Sequence, residues 1–126
     1  MTTDPDQLTP EQMADLQRQV KDVMLALLET LMLSGHSISA CISAIAEFHA
    51  HLLGLVGGNP AKRLAGILPP FLDAANSAAE VRRIIDVVGP ARTKEALLKE
   101  LPNKKNEFRT RLALWVIDHL EKGRVI

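Results

Sequence analysis

Tyrosine is missing from the 126 residues, and the other aromatics amount to three phenylalanines and one tryptophan. A core must then be built from Leu, Ile, Val, Ala and Met, a palette that suits helix packing better than sheets. Cys41 is the only cysteine, which excludes an intramolecular disulfide and removes any pointer to an oxidising compartment. Met1 to Thr9 shows no basic residues ahead of an apolar run and instead carries Asp4 and Asp6, so no secretory signal is read there. A cytoplasmic address is expected. A long apolar run is also lacking. The 17 residues from Thr30 to Ala46 bear no formal charge, but Ser34, Gly35, His36 and Ser37 interrupt them and Glu29 and Glu47 flank them. No membrane span is expected on that pattern.

What is present is the balance of a globular chain, 47% hydrophobic and 24% charged, at a length that fits one domain. The expected organisation is a flexible N-terminal tail over 1–9 and a single all-α domain over 10–126. The zero net charge hides an asymmetry: residues 1–58 hold two basic and seven acidic side chains, and residues 59–126 hold thirteen and eight. The halves therefore carry −5 and +5. Such a dipole can be satisfied within the fold, between subunits or by an anionic partner.

Helix signals punctuate the whole chain. Thr9-Pro10-Glu11-Gln12 combines an N-cap, a first-turn proline and a capping box. Met13, Leu16, Val20, Val23 and Leu27 follow at alternating steps of three and four, which predicts a first helix from Pro10 to about Leu33, stopped by Gly35. Met24, Leu28, Leu31 and Met32 add a second apolar stripe. A second helix runs from the cap Ser37 to about Val56 and ends at Gly57-Gly58, with Ser39, Ser43, Glu47 and His51 as its narrow polar stripe. Asn59-Pro60 opens a third, which Pro69-Pro70 should break near Leu68. Phe71 to Ala75 then forms a separate turn, and Ser77-Ala78-Ala79-Glu80 caps a further helix ending at Gly89-Pro90. Two more are predicted, from about Ala91 to Leu101 and from Asn103 to Lys122, the last burying Phe108, Leu112, Trp115, Val116, His119 and Leu120. The expected architecture is a five- or six-helix bundle with a long N-terminal helical hairpin.

No constellation reaches the level of a catalytic, metal or cofactor motif. His49 and His51 lie two apart, about 200° around a helix, and cannot converge on one ion. Neither H-E-x-x-H nor E-x-x-H occurs. His51 is expected to pair with Glu47 one turn back, while His49 falls on the apolar seam, where a hydrogen-bonded core histidine is expected ahead of one at an interface. Ser43, Glu47 and His51 cannot form a triad, because eight helical residues separate the outer pair by about 12 Å. Cys41 sits among apolar neighbours, as a structural thiol does. Gly57-Gly58 lacks the spacing and the following Lys-Ser/Thr of a phosphate loop.

The second half is basic. Arg82 with Asp86, Glu95 with Lys99, Glu107 with Arg111 and Asp118 with Lys122 are spaced to pair at i, i+4. That leaves Lys94, Lys104, Lys105 and Arg109 as a small anion-binding patch. Single-strand binding calls for exposed aromatics that the chain can hardly supply, so nucleic acid is the second reading and not the first. The reading favoured by the apolar excess is a non-enzymatic protein-protein interaction module, a regulator or adaptor that forms a homodimer through its first two helices. Its interface is placed at Val20, Met24, Leu27, Leu28, Leu31 and Met32, with no metal and no cofactor.

Overall fold

The computed structural model describes residues 8–124 and 126, and within them the chain is all-helical. Five α-helices are present: α1 (Pro10–Ser34), α2 (Ile38–Leu55), α3 (Pro60–Val88), α4 (Pro90–Glu100) and α5 (Glu107–Glu121), with a 3₁₀ turn at Lys104–Asn106. Most of the tail expected over 1–9 lies outside the described residues. By contact the chain divides into two units, Met1–Gly35 and His36–Ile126.

The first unit is α1. The Thr9 hydroxyl accepts from the Gln12 backbone N–H at 3.1 Å, and the Gln12 side chain accepts from the Thr9 N–H at 3.0 Å, so two otherwise unpaired donors are satisfied reciprocally. Gly35 ends the helix at φ 70°, a left-handed conformation that a side chain would strain.

In the second unit, Ser37 caps α2 through its hydroxyl, which accepts from the Ala40 N–H at 3.2 Å. Asn59 caps α3, its side-chain oxygen accepting from the N–H groups of Ala61 and Lys62 at 3.0 and 3.3 Å. The chain turns from α3 into α4 at Gly89, whose φ of 102° no other residue adopts without strain, and Pro90 begins the next helix. Thr93 is buried there and donates its hydroxyl proton to the Gly89 carbonyl at 2.8 Å. α5 ends with Gly123 left-handed and the Arg124 N–H donating to the His119 carbonyl at 3.0 Å, which satisfies an acceptor of the last turn.

α5 packs on α4 and on the 3₁₀ turn, and α4 packs in turn on α3. Thr110, Trp115, Ile117 and His119 are all buried, so α5 is enclosed on more than the one face expected of it. A Lys94–Glu121 ion pair at 3.4 Å bridges α4 and α5. The remaining buried positions of this unit are Ile38 and Cys41 of α2, Ile85 of α3 and Thr93 of α4.

The structure corrects two expectations. There are five helices and not six, because α3 continues through Pro69 and Pro70 instead of breaking at Leu68. A proline lacks the N–H that would reach the carbonyl four residues back, so the Ala65 and Gly66 carbonyls lose their helical donors. Every residue around them is exposed, so water can replace those donors. A proline's fixed φ is itself helical, and Ala74, Ala75, Ala78 and Ala79 supply strong helix propensity beyond the pair. The expected cap at Ser77 consequently lies in the helix interior.

Replacing both prolines with alanine should raise the denaturant midpoint, with a gain in unfolding free energy of up to about 3 kcal/mol per restored position. A lowered midpoint would show instead that the prolines end one helix and begin another.

Candidate functional site

Polar chemistry is sparse on this surface. Among the described residues no group of three or more His, Cys, Asp or Glu side chains is placed to hold a metal ion. His51 Nε2 lies 3.7 Å from the Glu47 carboxylate, the pairing expected one turn apart, and both side chains are well exposed. Ala50, His51, Gly54 and Leu55 line a shallow depression on the outside of α2, too open to enclose a substrate. Cys41 is a buried free thiol. His49 is exposed, which corrects the expectation of a core histidine: the α2 face that carries it is not covered.

The buried histidine is His119. Its Nδ1 lies 3.0 Å from the Trp115 carbonyl, which can only accept, so the proton sits on Nδ1 and the group is satisfied within its own helix. The His119 ring meets the Trp115 ring edge to face, with centroids 5.2 Å apart and planes at 87°. Next to it, the hydrogen bond from Lys122 holds the Asp118 carboxyl below its ordinary value, helped by the positive charge of Lys122 and Arg124 and opposed by partial burial. These contacts fix the end of α5 and leave no reactive group aimed at an open cleft.

The basic patch is smaller than its sequence implies. Lys94 is engaged by Glu121 at 3.4 Å, a partner 27 positions away that helical spacing could not reveal. Lys104 reaches Glu107 at 3.8 Å, and Glu107 is shared with Arg111 at 3.9 Å. Lys94 and Lys104 therefore do not belong to an unpaired set, which leaves Lys105 and Arg109 exposed.

The unusual feature is apolar. On α1 the two stripes have different fates. Met13, Leu16, Val20, Val23 and Leu27 are exposed, Val23 to 65%, whereas Met24, Leu25 and Leu31 are half-buried and Leu28 is only 1% exposed. The six residues expected to form an interface thus separate by exposure: Val20, Leu27 and Met32 are exposed, Met24 and Leu31 are intermediate, and Leu28 is 1% exposed. On α2, Ile38 and Cys41 are buried, while Ile42, Ile45, Phe48, Leu52 and Leu55 are exposed, Leu55 to 83%. α2 is also the one helix among the described residues long and apolar enough to cross a membrane by length and composition. Its polar stripe of Ser39, Ser43, Glu47 and His51 makes it amphipathic.

From Gly54 to Ile84 every residue is exposed, although Leu64, Ile67, Leu68, Phe71, Leu72 and Val81 lie in that stretch. Sequence reasoning missed this face, because it read the segment as two short helices.

The contrast between interior and surface is measurable. Ile117, fully buried, should lose about 2–5 kcal/mol of stability as Ile117→Ala. Val87→Ala, at a position 80% exposed, should stay within about 0.5 kcal/mol. Equal losses at the two positions in urea unfolding would contradict this placement of the core.

No known protein family matches the chain, and it is similar to no curated protein and to no solved structure.

Proposed function

We propose that this protein is a non-enzymatic interaction module, a cytoplasmic regulator or adaptor, that self-associates through α1 and α2. In this reading the two helices form a hairpin, and the hairpins of two copies close a four-helix core. The observation that carries it is the exposed apolar seam of α1, Met13 to Leu27, together with the uncovered Ile42, Phe48 and Leu52 of α2. Contiguous apolar surface of this extent is what protein contacts bury and what an isolated protomer leaves in water.

Nucleic acid is the weaker reading, because the ion pairs of Lys94 and Lys104 reduce the patch to two exposed cations, fewer than duplex binding draws on. A membrane-spanning role for α2 is weaker still. Glu47, His49 and His51 lie within the helix, and a carboxylate inside hydrocarbon is costly.

Light scattering on the purified protein tests the proposal. The wild type should have at least twice the protomer mass, and Val20→Asp combined with Leu27→Asp should at least halve the wild-type value without loss of helix content. Both positions are exposed, so the protomer's own fold tolerates the change; Leu28, being buried, would not serve. A wild type that stays at the protomer mass throughout the micromolar range would falsify self-association.

A further inference from the structure

α3 carries a pattern that the α1–α2 interface leaves unused. Leu64, Ile67, Phe71, Ala74, Ala78 and Val81 follow one another at alternating steps of three and four, and all six are exposed, Phe71 to 64%. These are the a and d positions of a heptad seam. The seam exists only because the helix is continuous through Pro69 and Pro70. In this register Pro69 falls at f, opposite the seam, and Pro70 at g, on its margin, so neither ring lies in the contact line. The same count continues to Ile85, which is 2% exposed and already enclosed by the protomer.

We propose that α3 pairs with α3 of a second copy, antiparallel, about a twofold axis between Leu72 and Asp73. This rests on the self-association reading above but assigns a different helix, and the two can fail separately. The occupant is a second copy because the seam is complementary to its own reverse. The pairing sets Leu64 against Val81 of the partner subunit, Ile67 against Ala78 of the partner subunit and Phe71 against Ala74 of the partner subunit. Every layer then joins a larger side chain to a smaller one, and the spacing between the helices stays even. Parallel pairing stacks Phe71 on its own copy and Ala74 on its own copy, which makes one layer too wide and the next hollow.

Charge agrees with this register. The positions flanking its centre are Leu68, Pro70, Ala75 and Ser77, none of them charged. Arg63 and Arg82 lie at opposite ends, where antiparallel pairing sets Arg63 near Ile84 of the partner subunit and Arg82 near Ala61 of the partner subunit. No like charges meet across the seam. The register also uses only residues that the protomer leaves in water and stops short of Ile85.

Two measurements on the full chain decide it. Phe71→Asp should halve the assembly mass in light scattering with the far-ultraviolet circular dichroism unchanged. In a Cys41→Ala background, a nitroxide on Lys62→Cys reports direction by pulsed electron resonance. Antiparallel pairing separates the two labels by about 30 Å along the axis, at 1.5 Å per residue, whereas parallel pairing leaves only the width of two helices, about 20 Å. An unchanged mass for Phe71→Asp, or the shorter label distance, overturns the proposal. If Phe71→Asp halves the mass while Val20→Asp with Leu27→Asp does not, the α1–α2 interface fails and the α3 pairing stands; the reverse result removes the α3 pairing alone.

Discussion

Removal of aliphatic side chains from water is the interaction on which the rest of this structure depends, because the chain has little else to hold it. It has no disulfide, and ion pairs such as Arg18–Asp15, Arg82–Asp86 and Arg83–Glu80 join exposed side chains that contribute modestly. Deep burial is concentrated at few positions, chiefly Leu28, Ile85 and Ile117, with Trp115 and His119 beside the last. Ordering each residue costs roughly 1–2 kcal/mol of backbone entropy, and few buried side chains offset it. In the self-association proposed above, contacts outside the protomer supply the difference.

The helices divide along this line. α5 is enclosed and satisfied, with its histidine bonded to its own backbone and its end closed by Gly123. α3 is the opposite case, a 29-residue helix whose apolar seam is in water over most of its length. An isolated helix of that kind draws most of its stability from packing its apolar face, and the prolines add a further cost. The cap at Asn59 and an alanine-rich centre keep it continuous, but neither replaces a partner.

Local signals were legible in the sequence wherever their cause is local. The Thr9 capping box, the Ser37 and Asn59 caps and the stops at Gly35, Gly89 and Gly123 each depend on a handful of neighbours, and each stands where its residues place it. The continuity of α3 was not legible, because each proline removes a helical bond and disfavours α geometry in the residue before it, which makes an adjacent pair the strongest local signal for a break. Exposure around α1 was not legible: Val20, Leu27 and Met32 are exposed and Leu28 is not, a distinction of position that composition treats as one greasy patch. Lys94 eluded pairing rules for the opposite reason, since its partner comes from another helix.

If the proposed self-association holds, folding and association of this protein are one process. The most direct test of this claim is the midpoint of thermal unfolding, followed by circular dichroism from low micromolar to hundreds of micromolar protein. If burial between copies supplies the missing stability, the midpoint must climb with concentration, as mass action requires of an assembly that unfolds to single chains. A midpoint independent of concentration over that range would mean that the protomer is stable by itself, and would contradict the claim.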